Sequence, residues 1–471
     1  MERKTKIVCT IGPASESEQM IGQLIDAGMN VARLNFSHAD HEEHRQRINV
    51  IRKVAAEKQR YIGILIDTKG PEIRTGAFEN NAVAFKKGDV VEVVKEKIIG
   101  NHERFHIDCN ELYDDIQVGQ YILIDDGKVR LNVIEKTKES FKCVVYNSGI
   151  LKTRKGVNVP NVKLSMPFIS EKDRQDIIFA AEVGADMLAL SFVRRKEDVQ
   201  EVRDLLKSVN APFIELIAKI ENQEGMDNLD GILDVADGVM VARGDLGVEV
   251  STQYVPLYQK KMIAKANEKG KPVITATHML ESMMSSPRPT RAEASDVANA
   301  ILDGSDAIML SGETAAGEYP VESVAMMDTI AKAIEPTMPY DDILRKSILT
   351  GQQTVSDTIG IAVSQAALSL PKVKVIVAFT ETGGTARRLC KFRPSVPILA
   401  VSELRATCEK LTYYRGVFAY YHPKVEYSKY DDVAVDVAKK FGYKSGDTIV
   451  ITSGYLQKHG STNTIRIIDI P

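Results

Sequence analysis

Cysteine is scarce in this chain and follows no pattern. Its five copies, Cys9, Cys109, Cys143, Cys390 and Cys408, are odd in number, scattered and never spaced as CxxC. That excludes a disulfide framework or a zinc site and fits reduced core residues of a cytoplasmic protein. Long apolar runs are also missing: none approaches the roughly 18 residues needed to span a membrane. The opening MERK leads into an apolar strand with no signal-like stretch. Neither sign of charge dominates, with 61 Lys+Arg against 64 Asp+Glu, a net charge of -3 and a pI near 6.3. Such a balance gives no support to a nucleic-acid or membrane partner. There is no GxxxxGK(S/T) loop and no kinase-type glycine-rich loop, so any nucleotide must bind in some other way.

What is present is length and rhythm. A chain of 471 residues exceeds one ordinary core and implies two or three domains. Strand-like and helix-like segments alternate from residue 6 to 67, and the alternation resumes after Pro167 and runs to about residue 336. The two blocks together give about eight strand–helix units, the count of a (β/α)8 TIM barrel, domain 1–70 plus 168–336. Residues 71–167 instead read as short alternating strands with turns such as DDG at 125–127. This predicts a small inserted β lid domain bracketed by Pro71 and Pro167. Residues 337–471 restart as a separate open-sheet α/β domain.

The chemistry gathers on IAKIE at 217–221 and DGVMVARGD at 237–245, two apolar runs ending in charge and separated by a helix-like segment, 225–236. As neighbouring buried strands they bring Lys219, Glu221 and Asp245 to the C-terminal edge, where α/β folds place their sites. Two carboxylates suit a hard divalent cation that keeps waters and shares substrate oxygens, Mg²⁺ better than Zn²⁺. A structural ion pair followed by a Gly-Asp turn is the plainer alternative. Other strand ends add Arg33, Asn35, Ser37, Asp67, Thr277 and Glu313 to the same mouth. Arg33 offers a fork for phosphate or carboxylate, or an ion pair. Asn35, Ser37, Asp67 and Thr68 offer oxygens with one formal charge, suited to a monovalent cation or to a distant metal shell. His38 and His278 lie near the mouth and are weak candidates for acid–base work. Divalent metal, lysine and arginine without a serine or cysteine nucleophile suit phosphoryl transfer by positioning and charge neutralisation, with the insert as a lid. In the last domain, TETGGT at 380–385 lies between a strand and a helix. It reads either as a phosphate cradle or as a glycine-rich turn with a threonine cap, and GSTN at 460–463 is a weaker second wall.

Five runs, NVARLNFSH (30–38), DTKGPEIR (67–74), AKIEN (218–222), MVARGDLGVE (240–249) and IMLSGET (308–314), resemble the pyruvate kinase family, as does the order barrel, lid, barrel, C-terminal domain over essentially the whole chain. The resemblance implies transfer of phosphate from phosphoenolpyruvate to ADP, giving pyruvate and ATP, in a cytoplasmic homotetramer. It implies Mg²⁺ (or Mn²⁺) on Glu221 and Asp245, Lys219 neutralising the moving phosphoryl group and the enolate, and Arg33 gripping the phosphate. It puts K⁺ at Asn35, Ser37, Asp67 and Thr68, with Glu72 marking K⁺-dependent members. The substrate carboxylate falls to the backbone of Ala242, Arg243, Gly244 and Asp245 and to the hydroxyl of Thr277, which also lies on the proton-delivery side. The nucleotide phosphates fall to Arg74, Lys155 and His38, and a phosphorylated allosteric effector to Thr380, Thr382, Gly383, Gly384 and Thr385. Three departures stand out. His278 replaces the usual Gln, the chain stops at Pro471 without the extra C-terminal domain of some bacterial relatives, and Glu381 puts an acid in the effector loop. The acid disfavours a second phosphate and favours AMP or a sugar monophosphate. A Mg²⁺-dependent pyruvate-class lyase and a catalytically silent metabolite sensor are the rival readings.

Overall fold

The computed structural model describes residues 3–350, 354–454 and 462–471, so Met1 and Glu2 of the opening stretch and Gly460 and Ser461 of the weaker wall lie outside the described residues. Eight parallel strands close into a barrel: β1 (Lys6–Thr10), β2 (Val31–Asn35), β3 (Gly63–Asp67), β4 (Met187–Leu190), β5 (Glu215–Ile220), β6 (Gly238–Ala242), β7 (Val273–Ala276) and β8 (Ala307–Leu310). Their order around it is β1-β8-β7-β6-β5-β4-β3-β2. Every residue of β1, β3 and β5 is buried, as expected of strands covered on both faces. Alternate side chains point inward, so Val31 and Arg33, Leu65 and Asp67, and Ile217 and Lys219 each pair an apolar interior residue with a polar one nearer the mouth. Flanking helices start where the sequence signals them: Asp40 with Glu43, Ser170 with Asp173 and Thr290 with Glu293 form capping boxes.

Two local expectations change. The segment 225–236 is two short helices, Gln223–Asp227 and Leu229–Val235. They break at Asn228, whose side-chain amide donates to the Arg194 carbonyl at 3.0 Å. The run 237–245 does not stay extended either. Strand β6 ends at Ala242, and Arg243–Glu249 is a short helix with Asp245 in its first turn.

Between β3 and β4 the chain folds into a curled seven-stranded sheet with a two-stranded ribbon. Phe78, Phe85, Phe105 and Phe141 fill its own core. Its entering strand Ile73–Arg74 pairs with its leaving strand Gly156–Asn158, so both connections to the barrel lie side by side. The C-terminal unit is a five-stranded sheet, β9 (Val373–Phe379), β10 (Ile398–Ser402), β11 (Val417–Tyr421), β12 (Thr448–Gly454) and β13 (Thr462–Asp469), in the order β11-β10-β9-β12-β13. Strand β13 runs antiparallel at its edge. This unit plugs the barrel's lower end. The interior residues Val8, Leu65, Ile217 and Met240 form one continuous apolar cluster with Leu389, Leu411 and Tyr413. Among the described residues no helix is long and apolar enough to cross a membrane. All five cysteines are buried and free.

Candidate active site

A cleft of about 440 Å³ opens at the C-terminal ends of the strands, under the lid, and Arg33, Asp67, Lys219, Glu221 and Asp245 all line it. The register explains the convergence. Asn35 lies opposite Asp67 across β2 and β3, and Asp67 lies opposite Ala189 on β4, one residue from the end of that strand.

The charges form a chain. Arg33 Nε donates to Asp67 Oδ2 at 2.7 Å, and its Nη1 donates to Thr10 Oγ1 at 2.9 Å. Lys219 Nζ lies 3.2 Å from Asp67 Oδ1 and 3.0 Å from Glu221 Oε1, and donates to Ser191 Oγ at 2.7 Å. Ser191 in turn donates to the Thr68 carbonyl at 2.7 Å. Gly70, at φ +69°, permits that approach, since a Cβ there would sit 2.8 Å from Ser191 Cβ. Burial alone would raise the Asp67 carboxyl, but the Lys219 and Arg33 charges outweigh it and hold it below the usual range. Burial likewise opposes the Lys219 ammonium, and Asp67 and Glu221 hold it above the ordinary lysine range.

Glu221 is wholly buried. Burial raises its carboxyl, Lys219 only partly offsetting this and Asp245 adding to it. One oxygen, Oε2, accepts the Phe192 N–H at 2.6 Å, whereas Oε1 meets only the Lys219 ammonium at 3.0 Å. A buried carboxylate with one oxygen engaged only by an ammonium, lining a cleft that a second carboxylate, Asp245, also lines, fits a hard cation. Among the described residues no cluster of three His, Cys, Asp or Glu is formed. A divalent ion held here would have the carboxylates of Glu221 and Asp245 as protein ligands and would complete its shell from water or substrate. Asn35, Ser37, Asp67 and Thr68, the residues expected to hold a monovalent cation, all line the cleft, and Arg33 and Lys219 balance the charge of Asp67.

Thr277 follows β7 at φ +66°, and His278 at φ +52°, two left-handed residues in succession. Thr277 Oγ1 accepts the Gly244 N–H at 2.8 Å. The Arg243 guanidinium donates to the Ala276 and Thr277 carbonyls and pairs with Asp296 at 2.6 Å, so it braces this turn and does not line the cleft. Ala242, Gly244 and Thr277 do not line it either, whereas Asp245 does. His38 and Arg74 line the cleft, with Arg74 also paired to Glu72 at 2.6 Å. Lys155 does not line it, because its ammonium is held by Asp125 on the lid at 2.9 Å. Glu313, expected at the mouth, is buried and accepts the N–H groups of Leu280 and Ser311. Its part is to fix the loops after β7 and β8.

Thr10, Ser191 and Phe192 escaped the sequence reading. Ser191 directly follows β4 and answers to the same strand-end rule as Asp67. Glu249 was also missed as a lid contact. It accepts Asn158 Nδ2 of the lid at 2.8 Å, and desolvation raises its carboxyl to about 7, the Asn158 bond acting the other way. Because the folded state favours the protonated form, ionisation costs stability. That cost is complete above about pH 7 and vanishes below the ordinary carboxylate range. Glu249→Gln keeps an acceptor for Asn158 and is expected to raise Tm by a few degrees at about pH 8 and by little at about pH 4.5. An equal shift at both pH values would contradict the assignment.

A second cleft, about 370 Å³, lies on the C-terminal unit and is lined by Thr380, Thr382, Gly384, Thr385, Arg388 and Lys424 among others. Gly383, at φ +88°, caps the helix Gly384–Lys391. Thr385 Oγ1 lies 2.9 Å from Thr462 Oγ1, so that hydroxyl is engaged across the cleft wall.

Comparison with known proteins matches residues 2–324 to the family model described as pyruvate kinase, barrel domain, and residues 357–468 to pyruvate kinase, alpha/beta domain. A pyruvate kinase of Geobacillus stearothermophilus is 51% identical over 472 residues, covering 99% of this chain and 80% of the relative. One of Bacillus licheniformis is 51% identical over 471 residues with the same coverage. A crystal structure of a pyruvate kinase from Cryptosporidium parvum superposes with a TM-score of 0.95 at 39% identity, covering 100% of this chain and 96% of that one.

Proposed function

Since this chain belongs to the pyruvate kinase family and is a phosphotransferase of that kind, we propose that the barrel mouth is where phosphoenolpyruvate gives its phosphoryl group to ADP. The observation that carries this is the buried alternation Arg33, Asp67, Lys219, Glu221, ending in a carboxylate that lines the cleft together with Asp245.

Arg33 and Lys219 flank Asp67, so two cations are held at fixed positions before substrate arrives, which removes reorganisation from the barrier. Arg33 grips the phosphoryl oxygens with its fork. Lys219 lies against the charge that builds on the moving phosphoryl group and then on the enolate. The substrate carboxylate meets the backbone of residues 242–245 and the Thr277 hydroxyl once the Gly244 N–H is released from Thr277 Oγ1, and that hydroxyl lies on the side from which the enolate takes its proton. A divalent ion on Glu221 and Asp245, Mg²⁺ or Mn²⁺, supplies Lewis-acid polarisation of the substrate oxygens when bound. Arg74 and His38 receive the nucleotide phosphates from the lid side, and Lys155 joins them once it leaves Asp125.

K⁺ held by Asn35, Ser37, Asp67 and Thr68 completes the phosphate's surroundings. Turnover is accordingly expected to collapse when tetramethylammonium replaces K⁺, and equal activity in the two buffers would remove the monovalent site. The cleft at 380–385 takes a monophosphate effector, AMP or a sugar monophosphate, because Glu381 opposes a second phosphate. Either ligand is expected to lower half-saturating phosphoenolpyruvate, and a large drop caused by fructose 1,6-bisphosphate alone would overturn that choice. The assembly we propose is a homotetramer. The function is tested by measuring pyruvate and ATP together. Equal amounts, strictly dependent on ADP, support it. Pyruvate formed without ADP would mean a lyase, and monophosphate binding without turnover a sensor.

A further inference from the structure

Strand β5 carries Lys219 near its upper end, with Glu221 directly after it, and the same inward-facing row begins at its lower end with Glu215. Glu215 is 5% exposed and lies about 13 Å from Lys219 at the rise of an extended strand. The proposed reaction has no use for this acid. Its carboxylate is nevertheless bound by three donors, all from the C-terminal unit: Arg387 Nη1 at 2.8 Å, Tyr413 Oη at 2.5 Å and Tyr414 Oη at 3.1 Å. Both tyrosines are buried. Burial raises the Glu215 carboxyl and the Arg387 charge opposes it.

Arg387 sits on the helix Gly384–Lys391, one turn from its Gly383 cap, and its neighbour Arg388 lines the 370 Å³ cleft. One face of that helix therefore borders the loop cleft, while Arg387 reaches through the barrel floor. Three described ion pairs join the barrel to the C-terminal unit in this region: Arg52 with Glu409, Arg393 with Asp306, and Arg387 with Glu215. Only the last has one end on the strand that carries Lys219 and leads into Glu221 and the other on the helix that begins at the loop. Packing reinforces it, since Ile217, directly above Glu215, belongs to the same apolar cluster as Ala386, Leu389 and Tyr413.

We propose that the Arg387–Glu215 contact is the mechanical link between the 380–385 loop and the active-site mouth, with Glu215 a positioning residue for Lys219 and Glu221. A carboxylate this buried does not tolerate a half-broken contact, because losing one donor leaves an uncompensated charge. The link requires a broken state besides the made one seen here, and through it a shift of the helix is passed to β5 as a change in the height of Lys219.

This inference rests on the mouth being the phosphoenolpyruvate site. The test is phosphoenolpyruvate saturation at fixed Mg²⁺, K⁺ and ADP, with thermal unfolding alongside, for wild type, Arg387→Ala, Arg387→Lys, Glu215→Gln, Gly383→Ala and the double variant Arg387→Ala/Gly383→Ala. Arg387→Ala and Glu215→Gln are expected to move half-saturating phosphoenolpyruvate in the same direction by about two- to thirtyfold, with a much smaller change in kcat. Arg387→Lys should fall between them and wild type. Gly383→Ala should move it only while Arg387 is present, so that the double variant matches Arg387→Ala. Should Glu215→Gln fail to fold, the Arg387 variants still give the reading, because that side chain is one-third exposed. Unchanged saturation with a lowered Tm would reduce the pair to a structural staple. Multiplying effects in the double variant, or none from Gly383→Ala, would also overturn the link. A wild type without any turnover would strike the site assignment, whereas normal turnover with unresponsive saturation strikes this inference alone.

Discussion

Lys219→Met is expected to lower kcat by about 10³-fold or more, the scale reported for removing a cation from a phosphoryl-transfer site, while half-saturating phosphoenolpyruvate changes far less. The asymmetry follows from the geometry. In the resting site the ammonium lies 3.2 Å from Asp67 and 3.0 Å from Glu221, already balanced by carboxylates. Its added value therefore appears when negative charge grows on the transferring group and the enolate, which is a transition-state contribution. Arg33, fixed by Asp67 and Thr10, continues to hold the substrate phosphate. Methionine fills the space, so packing is kept, but Glu221 loses its nearest cation and its carboxyl rises further. Rates should accordingly be compared at saturating Mg²⁺ and at more than one pH. A variant retaining kcat within about tenfold of wild type would remove Lys219 from the chemistry.

Glu221→Gln should separate activity from stability. It removes one of two candidate carboxylates, so half-saturating Mg²⁺ is expected to rise by about 100-fold or more, above the effect usual for outer-shell partners of a metal ligand. Yet the amide oxygen still accepts from Phe192, and Lys219 keeps Asp67 as a partner. Desolvation outweighs the Lys219 pairing and raises the Glu221 carboxyl, so its ionisation costs stability that the neutral amide does not. Tm should therefore hold or rise while activity at ordinary Mg²⁺ is lost. A fall in Tm with unchanged Mg²⁺ dependence would make Glu221 structural.

The barrel could be read from the chain because its strands are short apolar runs bounded by turns, and burial on both faces leaves no other pattern. The same rule located Lys219, Asp67 and Arg33, polar residues breaking an apolar run at the end where such folds keep their sites. It brought Asp245 to the mouth but on the wrong element, since nothing in VARGD distinguishes a strand end from the first turn of the helix Arg243–Glu249. It also placed Glu313 in the mouth, when two backbone N–H groups from neighbouring loops had already claimed it. Contacts far apart in sequence were illegible for a common reason. Lys155 turning to Asp125, Asn158 reaching Glu249 and Arg387 reaching Glu215 each depend on how separately folded units meet. Local periodicity carries no record of that.

The most direct test of the site is a crystal structure of the protein with Mn²⁺ and the non-reacting substrate mimic oxalate, read by anomalous scattering. The account predicts a single strong peak in the mouth, bound by one oxygen each of Glu221 and Asp245 and by oxalate oxygens, with Lys219 Nζ against the mimic. A peak elsewhere, or Glu221 still facing only Lys219 while oxalate sits away from both carboxylates, would contradict it.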